Sequence, residues 1–205
     1  MRSSYFIKST TTTNNALRLL VRASLLGTGD LYLKDQDRYL FFQFDRSKYT
    51  FLNNYILSYG LQEFVKIDYL KQQASILLKD SDIYQEVSSW HKGDKKVFTP
   101  SNHSVSYDEI MLFIVIFGKR ALESVTVDTS LDKDSLRSFA YVLEKTLKQS
   151  VIAGKMKLKI HDIVKLFMNG LKNLGMLECT ELANYLNDHD KRVITSGVNN
   201  YAQSY

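Results

Sequence analysis

The sequence predicts an α+β fold in which apolar helices alternate with short antiparallel strand pairs. Apolar residues recur at helical spacing over 16–26 and are followed at once by two aromatic stretches within 31–44, which alternate as strands do. The same succession returns later, with a strongly apolar helix predicted over 107–121 and an alternating strand over 124–129. Helices that lead into antiparallel strand pairs are typical of α+β domains.

The composition is that of a globular protein with a modest basic excess. Of 205 residues, 44% are hydrophobic and 24% are charged, and 27 Lys and Arg against 22 Asp and Glu give a net charge of +5. The excess suits an anionic partner without identifying one. The longest apolar run, Ile110 to Phe117, is too short to span a bilayer, so no membrane is expected. The single cysteine, Cys179, excludes an internal disulfide and a multi-cysteine metal site.

The first helix has two small residues on one face. Ala23 and Gly27 lie four positions apart, which lets a second helix approach closely, and we expect that helix to be the one near Ile114 and Gly118. Gly27 and Gly29 are predicted to end the first helix in a left-handed cap.

The remaining elements of the first half follow from periodicity and turn residues. The turn between the first two strands is Asp35-Gln36-Asp37. Next come a helix closed by Gly60, strands over 65–70 and 75–79, and a helix that begins after Asp80 and ends near Trp90.

The second half repeats this order with one strand fewer. Only one strand, 124–129, is evident between Gly118 and Asp132, and Asp132 is predicted to cap the next helix. In the strand that follows, Met156, Leu158 and Ile160 alternate with Lys155, Lys157 and Lys159, so the apolar set is predicted to face the core. A last helix is predicted from about Asp162.

Two segments of the sequence resemble stretches of a known protein family, and the predicted elements follow one another in that family's order. The heptapeptide Leu25-Leu26-Gly27-Thr28-Gly29-Asp30-Leu31 resembles the motif of the LAGLIDADG homing endonucleases, and 75–100 resembles the stretch before the family's second motif. The resemblance covers about 16–175. It implies two pseudo-twofold-related repeats of order α-β-β-α-β-β-α, with saddle-shaped antiparallel sheets that bind nucleic acid on their concave face.

The resemblance also implies a division of the chain. Residues 1–15 form a polar N-terminal arm, 16–100 the first repeat, 101–175 a second, trimmed repeat, and 176–205 a C-terminal extension. The arm contains no acidic residue, which is equally consistent with a mitochondrial transit peptide and with a flexible segment.

The family's catalytic acids are missing in this sequence. The resemblance places Thr28 where the first motif has its metal-binding carboxylate, and Gly118 or Phe117 where the second motif has its own. A hydroxyl supplies no anion, and no acid occurs from Ile110 to Leu122. Asp30, two residues later, is a poor substitute because a metal site tolerates little displacement. We therefore expect no metal, no cofactor and no enzymatic activity.

Basic residues along the predicted strands are the candidate nucleic-acid contacts. Lys155, Lys157 and Lys159 would project from one strand face, although a solvated face would look the same. Weaker candidates in the first repeat are Lys34, Arg38 and Lys79. Tyr39 and Phe41 share a face and are placed to stack on bases, with core packing as the alternative.

The expected function is that of an inactive LAGLIDADG-like RNA-binding protein. Its partner would be structured RNA, ribosomal or intronic, together with other proteins of an organellar ribonucleoprotein such as the mitochondrial ribosome; an intron maturase fits equally. The single proline and the abundance of Tyr, Phe, Lys, Asn and Ile indicate an AT-rich, mitochondrial or other organellar genome. The alternatives are an active DNA homing endonuclease with atypical acids and a protein–protein scaffold.

Overall fold

The structure is a computed structural model. It describes the backbone of residues 3–34, 37–93 and 95–202, and the side chains of 12–33, 37–93 and 95–196. Most of the predicted turn at 35–37 and one residue of the basic loop at 92–96 therefore lie outside the described residues, as do the first two residues of the predicted arm and the last three of the extension. Within the described part of the chain, no helix combines the length and apolarity that crossing a membrane requires.

The first half has the predicted α-β-β-α-β-β-α order. Its elements are α1 (Ser3–Leu26), β1 (Asp30–Lys34), β2 (Asp37–Gln43), α2 (Tyr49–Ser58), β3 (Val65–Asp68), β4 (Gln73–Leu77) and α3 (Ser81–Ser89). A 3-10 turn, Arg46–Lys48, precedes α2, and a two-stranded ribbon, β5 (His91–Lys92) and β6 (Lys95–Lys96), follows α3.

The second half repeats the order. Its elements are α4 (Tyr107–Phe117), β7 (Gly118–Ala121), β8 (Ser124–Asp128), α5 (Lys133–Leu147), β9 (Val151–Ala153), β10 (Lys157–His161) and α6 (Ile163–Asn173). Asp132 caps α5 as predicted, and Asp162, near which the last helix is predicted to begin, caps α6; each does so through a side-chain oxygen that accepts a backbone N–H.

The two halves contribute one antiparallel sheet each, with the same topology. The strand orders are β1-β2-β4-β3 and β7-β8-β10-β9. This arrangement confirms the predicted α+β class with antiparallel sheets. One face of each sheet is lined by buried residues such as Leu40, Ile76, Val127 and Leu158, and the other face is open.

The core is centred on the packing of α1 against α4. Every residue of α4 from Glu109 to Phe117 is buried, which requires apolar residues on all sides of the helix. The one charge in that stretch is compensated: the Glu109 carboxylate accepts hydrogen bonds from the Arg22 guanidinium at 2.8 Å and from the Ser106 backbone N–H at 2.7 Å. The latter bond is half of a capping box that begins α4.

Three sequence predictions are corrected by these elements. The first helix begins at Ser3 instead of near Ala16, because its polar first turns have no apolar period to reveal them. The second half is not short of a strand: β7 follows α4 without a turn, so its residues were assigned to the helix. Met156 does not face the core, since it is 55% exposed in a left-handed turn (φ +55°) before β10.

The C-terminal segment adds two helices, α7 (Met176–Ala183) and α8 (Asp188–Ala202), and holds the end of α4. The buried Tyr185 hydroxyl lies 2.9–3.1 Å from the carbonyl oxygens of Ile114, Val115 and Gly118. The buried Lys48 ammonium donates to that hydroxyl at 2.9 Å and to the Glu181 carboxylate at 2.6 Å. The segment therefore completes the core beside α1 and α4, which we call the motif helices because they end at the two motif positions.

Candidate nucleic-acid interface

The two motif helices meet at their C-terminal ends, and Gly27 is required by that contact. A Cβ atom at Gly27 would overlap the Phe117 ring, and a Cβ at Gly29 would overlap the Ser24 carbonyl. Neither glycine has a positive φ, so the predicted left-handed cap is wrong. The small-residue face was predicted correctly, but its partner at Gly27 is the Phe117 ring.

The strand register shows which residues of the two halves are equivalent near the ends of α1 and α4. The Phe44 N–H donates to Gln72 in one sheet, and the Thr129 N–H donates to Met156 in the other, so these strand ends are equivalent. When this register is extended into β1 and β7, Gly29 of the first half is equivalent to Gly118 of the second half, and Thr28 is equivalent to Phe117. The sequence left two candidates, Gly118 and Phe117, for the second-half counterpart of Thr28, and the register makes Phe117 that counterpart.

Neither residue offers a metal ligand in this arrangement. The Thr28 hydroxyl is engaged with the Gln43 backbone, donating to its carbonyl at 2.9 Å and accepting from its N–H at 3.0 Å. Phe117 is apolar. Among the described residues there is no group of three or more His, Cys, Asp or Glu placed to hold a metal ion. The residues at the helix ends do not fit the divalent metals that the resemblance implies.

Two carboxylates that the sequence did not single out lie beside this junction. Asp45 and Asp128 line a cavity of about 220 Å³ with Thr28, Gln43 and Phe117. The Lys119 ammonium lies between them, 3.2 Å from an Asp45 oxygen and 3.6 Å from an Asp128 oxygen. Asp45 follows β2 and Asp128 ends β8, so strand reading alone could not bring them together.

The charges of this group reinforce one another. Hydrogen bonds from the Ser47 backbone and hydroxyl, and then the Lys119 ammonium, lower the pKa of Asp45 to about 2. Partial burial works to lower the pKa of Lys119, but the two carboxylates outweigh it and raise that pKa. Asp45 and Lys119 are therefore ionised at neutral pH.

The outward face of the second sheet has a row of lysines. Lys157 and Lys159 are exposed on β10, and Lys119 on β7 joins them because the register runs Lys119, Thr126, Lys159 across the sheet. Lys157 lies 3.8 Å from Asp128. Lys155 is exposed in the turn before β10 and is not a strand residue. We call Lys119, Lys157 and Lys159 the lysine row.

The first-half candidates are not collected on one such face. Arg38 lies on the side of β2 opposite to Tyr39, with its guanidinium 3.8 Å from the centre of the Tyr84 ring. Lys79 follows β4, with its ammonium 5.8 Å from the Phe64 ring centre. Lys34 ends β1 opposite Asp37, and its side chain lies outside the described residues.

The outward face of the first sheet combines aromatic rings and carboxylates with the exposed Lys66, which lies on the same face as Phe41. Tyr32, Tyr39 and Phe41 are adjacent there, with ring centres 5.4 Å apart for Tyr32 and Phe41 and 5.8 Å apart for Tyr39 and Phe41. Asp30 and Asp37 share this face by strand alternation. We call the three rings the aromatic cluster. None of the three is buried, so core packing is not their role.

A buried lysine holds the end of α1. The Lys96 ammonium donates to the Gly27 carbonyl at 2.7 Å and to the Gly29 carbonyl at 2.9 Å. Burial lowers its pKa to about 7, against a smaller opposing effect of Asp30. His91 is also anchored: its ring nitrogens lie 2.9 Å from the Val87 carbonyl and 3.0 Å from Asp30.

Comparison with known proteins identifies the fold as that of the LAGLIDADG homing endonucleases. A solved structure, the homing endonuclease I-WcaI bound to its DNA recognition sequence, matches with a TM-score of 0.53 over 93% of this chain and 92% of that one. The identity is 11%, so the likeness is one of fold. No protein-family model and no curated protein matches the sequence.

This comparison corrects one prediction from the sequence. The expectation that the chain is not an enzyme rested on the missing motif acids, and it is contradicted because the matched protein is an endonuclease. The missing acids remain a fact of the sequence, but they are not grounds for excluding a nuclease.

Proposed function

We propose that this chain binds nucleic acid, specifically structured RNA, across the outward faces of its two sheets. The observation that supports this most directly is the lysine row, which projects three ammonium groups from one face of the second sheet. Lysines on an open sheet face are suited to phosphate oxygens, which position a nucleic acid without reading its sequence. The net charge of +5 acts in the same direction.

The unequal faces of the two sheets favour RNA over a long DNA duplex. A rigid duplex across both sheets needs phosphate contacts on each, because those contacts supply most of the affinity. Among the described strand residues, the first-sheet face has one lysine, Lys66, and otherwise aromatic rings and the carboxylates of Asp30 and Asp37, so it offers fewer phosphate contacts than the second sheet. A folded RNA can present a short helix to the lysine row and a different surface to the first sheet.

We further propose that the RNA belongs to an organellar, mitochondrial ribonucleoprotein. Support comes from the composition and from the acid-free segment before Asp30. Sedimentation of tagged protein through a sucrose gradient tests this proposal. Co-migration with ribosomal subunits supports a ribosomal role, enrichment of an intron RNA supports a maturase role, and recovery with neither contradicts the proposal.

A salt series tests the RNA interface. In Lys157→Gln/Lys159→Gln, we expect the slope of log affinity against log salt to fall by about 1.5 to 2 on structured RNA, since two phosphate contacts are lost. The matched control is Lys145→Gln/Lys172→Gln, which removes two exposed lysines from helices α5 and α6. Equal slopes in all three proteins would contradict the proposed interface, and tighter binding to duplex DNA than to RNA would contradict the choice of ligand.

A second candidate function is that of a DNA endonuclease with atypical acids. It is favoured by the carboxylates of Asp45 and Asp128, which remain beside the ends of the motif helices. The test is incubation with Mg²⁺ or Mn²⁺ and a DNA library that includes the flanks of the protein's own gene. Site-specific double-strand breaks that disappear in Asp45→Asn or Asp128→Asn, but persist in the exposed control Asp134→Asn, would support it. Breaks that disappear only in Asp30→Asn would assign the role to Asp30.

A further inference from the structure

The aromatic cluster has no role in the phosphate contacts proposed for the second sheet. We propose that it stacks on unpaired bases of the bound RNA, in a single-stranded segment next to the helix held by the lysine row. This inference rests on the proposed function and adds the class of RNA that the protein selects, namely a helix with an adjoining single strand.

The rings are accessible and held in place. Tyr32 is 53% exposed on edge strand β1, and its ring packs edge-on against Phe41 at an interplanar angle of 78°. Phe41 in turn contacts Tyr39, whose hydroxyl donates to Asp37 at 3.1 Å. A base that stacks on Tyr32 therefore meets a ring whose neighbours already restrict its motion, which keeps the entropy cost of stacking low.

The charges around the cluster favour bases over the phosphate backbone. The Asp30 side chain is 75% exposed, and Asp37 lies on the same face, so both repel phosphates near the rings, whereas the lysine of this face, Lys66, lies on the far edge strand β3. Carboxylates accept hydrogen bonds from the amino groups of bases. Gln43 and Gln73 pair in register at the other end of this face and offer amide groups to base edges. The first sheet thus matches the bases and the second sheet matches the backbone.

The experiment compares two RNAs on the full chain. One is a hairpin with a short single-stranded tail that contains 2-aminopurine, and the other is the same hairpin with a blunt end. We expect the tail to tighten binding by about fivefold to a hundredfold for each stacked base, and to quench the 2-aminopurine fluorescence.

The variants separate stacking from phosphate contact. Tyr32→Ala should abolish the tail preference and leave affinity for the blunt hairpin unchanged, whereas Tyr32→Phe should keep the preference. The matched control is Tyr141→Ala, at a tyrosine that is 61% exposed on helix α5 and belongs to neither sheet. Lys157→Gln/Lys159→Gln should weaken both RNAs alike and leave their ratio unchanged.

Each other outcome overturns one proposal specifically. If the lysine variant weakens both RNAs but wild type shows no tail preference, the stacking inference is wrong and the RNA interface stands; the aromatic face would then suit a protein partner. A tail preference that survives Tyr32→Ala also overturns the stacking inference. If wild type binds neither hairpin, the proposed function itself is wrong and the inference fails with it.

Discussion

The two sheets of this protein have the same topology, but their outward faces differ in the chemistry of their side chains. Three lysines project from the second sheet around one carboxylate, that of Asp128, whereas aromatic rings and the carboxylates of Asp30 and Asp37 project from the first sheet, with Lys66 on its far edge strand. The buried faces differ far less, because both are lined by aliphatic and aromatic side chains packed against the motif helices. Packing constrains the inner faces of both halves in the same way, whereas the outer faces respond to what each half contacts.

The ends of the two motif helices show the same contrast. Each end leaves backbone carbonyls that need donors, and each obtains one from a distant buried side chain. For α1 the donor is the Lys96 ammonium, from the ribbon after α3. For α4 the carbonyls surround the Tyr185 hydroxyl, from the C-terminal segment. The C-terminal carbonyls of the two helices therefore obtain their donors from different groups, an ammonium for α1 and a hydroxyl for α4.

The largest effect is expected at the junction the two halves share. Gly27→Leu should reduce the free energy of unfolding by about 1–3 kcal/mol or more, because the side chain must displace the Phe117 ring. The control is Gly154→Leu, where the nearest atom to an added Cβ is 3.5 Å away. Urea denaturation of both variants measures the difference. Equal stabilities would show that the helices do not meet at Gly27.

A smaller effect is expected at the end of α4. Tyr185→Phe removes the buried hydroxyl that joins Lys48 to the carbonyls of α4, so we expect a loss of about 1–3 kcal/mol. Tyr141→Phe, at a tyrosine 61% exposed on α5, should change stability by less than about 0.5 kcal/mol. Thermal unfolding of the two variants compares them. A loss no greater than that of Tyr141→Phe would mean that the C-terminal segment does not stabilise α4 through this hydroxyl.

The smallest effect near neutral pH is expected at the end of α1, and it grows with pH. The pKa of Lys96 falls from 10.5 to about 7 on folding. Between these values the unfolded chain keeps a proton that the folded chain releases, so the free energy of unfolding rises with pH, by up to about 1.4 kcal/mol per pH unit. Below about pH 7 this dependence vanishes. A neutral amine still has two N–H groups for the two carbonyls.

Comparison with Lys96→Met isolates this contribution, because burial also lowers the pKa of Lys48 and gives a dependence of the same sign in both proteins. Chemical denaturation from pH 6 to pH 9 measures it. We expect wild type to gain stability relative to the variant above about pH 7. A constant difference across this range would show that Lys96 stays protonated in the folded state.

The sequence by itself determined the elements and the family of the fold. Helical spacing before Gly27, alternation along the strands and the cap at Asp132 are local signals, and each was confirmed because each depends only on residues close together in the sequence. The errors were local too. Nothing in the chain marks the change from helix to strand at Gly118, since α4 and β7 are contiguous.

Only the tertiary structure decided which side chains meet at the candidate site. Lys119 and Asp128 come from one hairpin of the second half, whereas Asp45 comes from the first half, and the contact of Asp45 with Lys119 depends on the packing of the two halves around α1 and α4. Likewise Lys96 lies in a strongly basic stretch that gives no local sign of burial, yet it is buried beneath the end of α1. Periodicity identifies a buried face, but long-range packing determines what that face encloses, and a single sequence does not encode that signal locally.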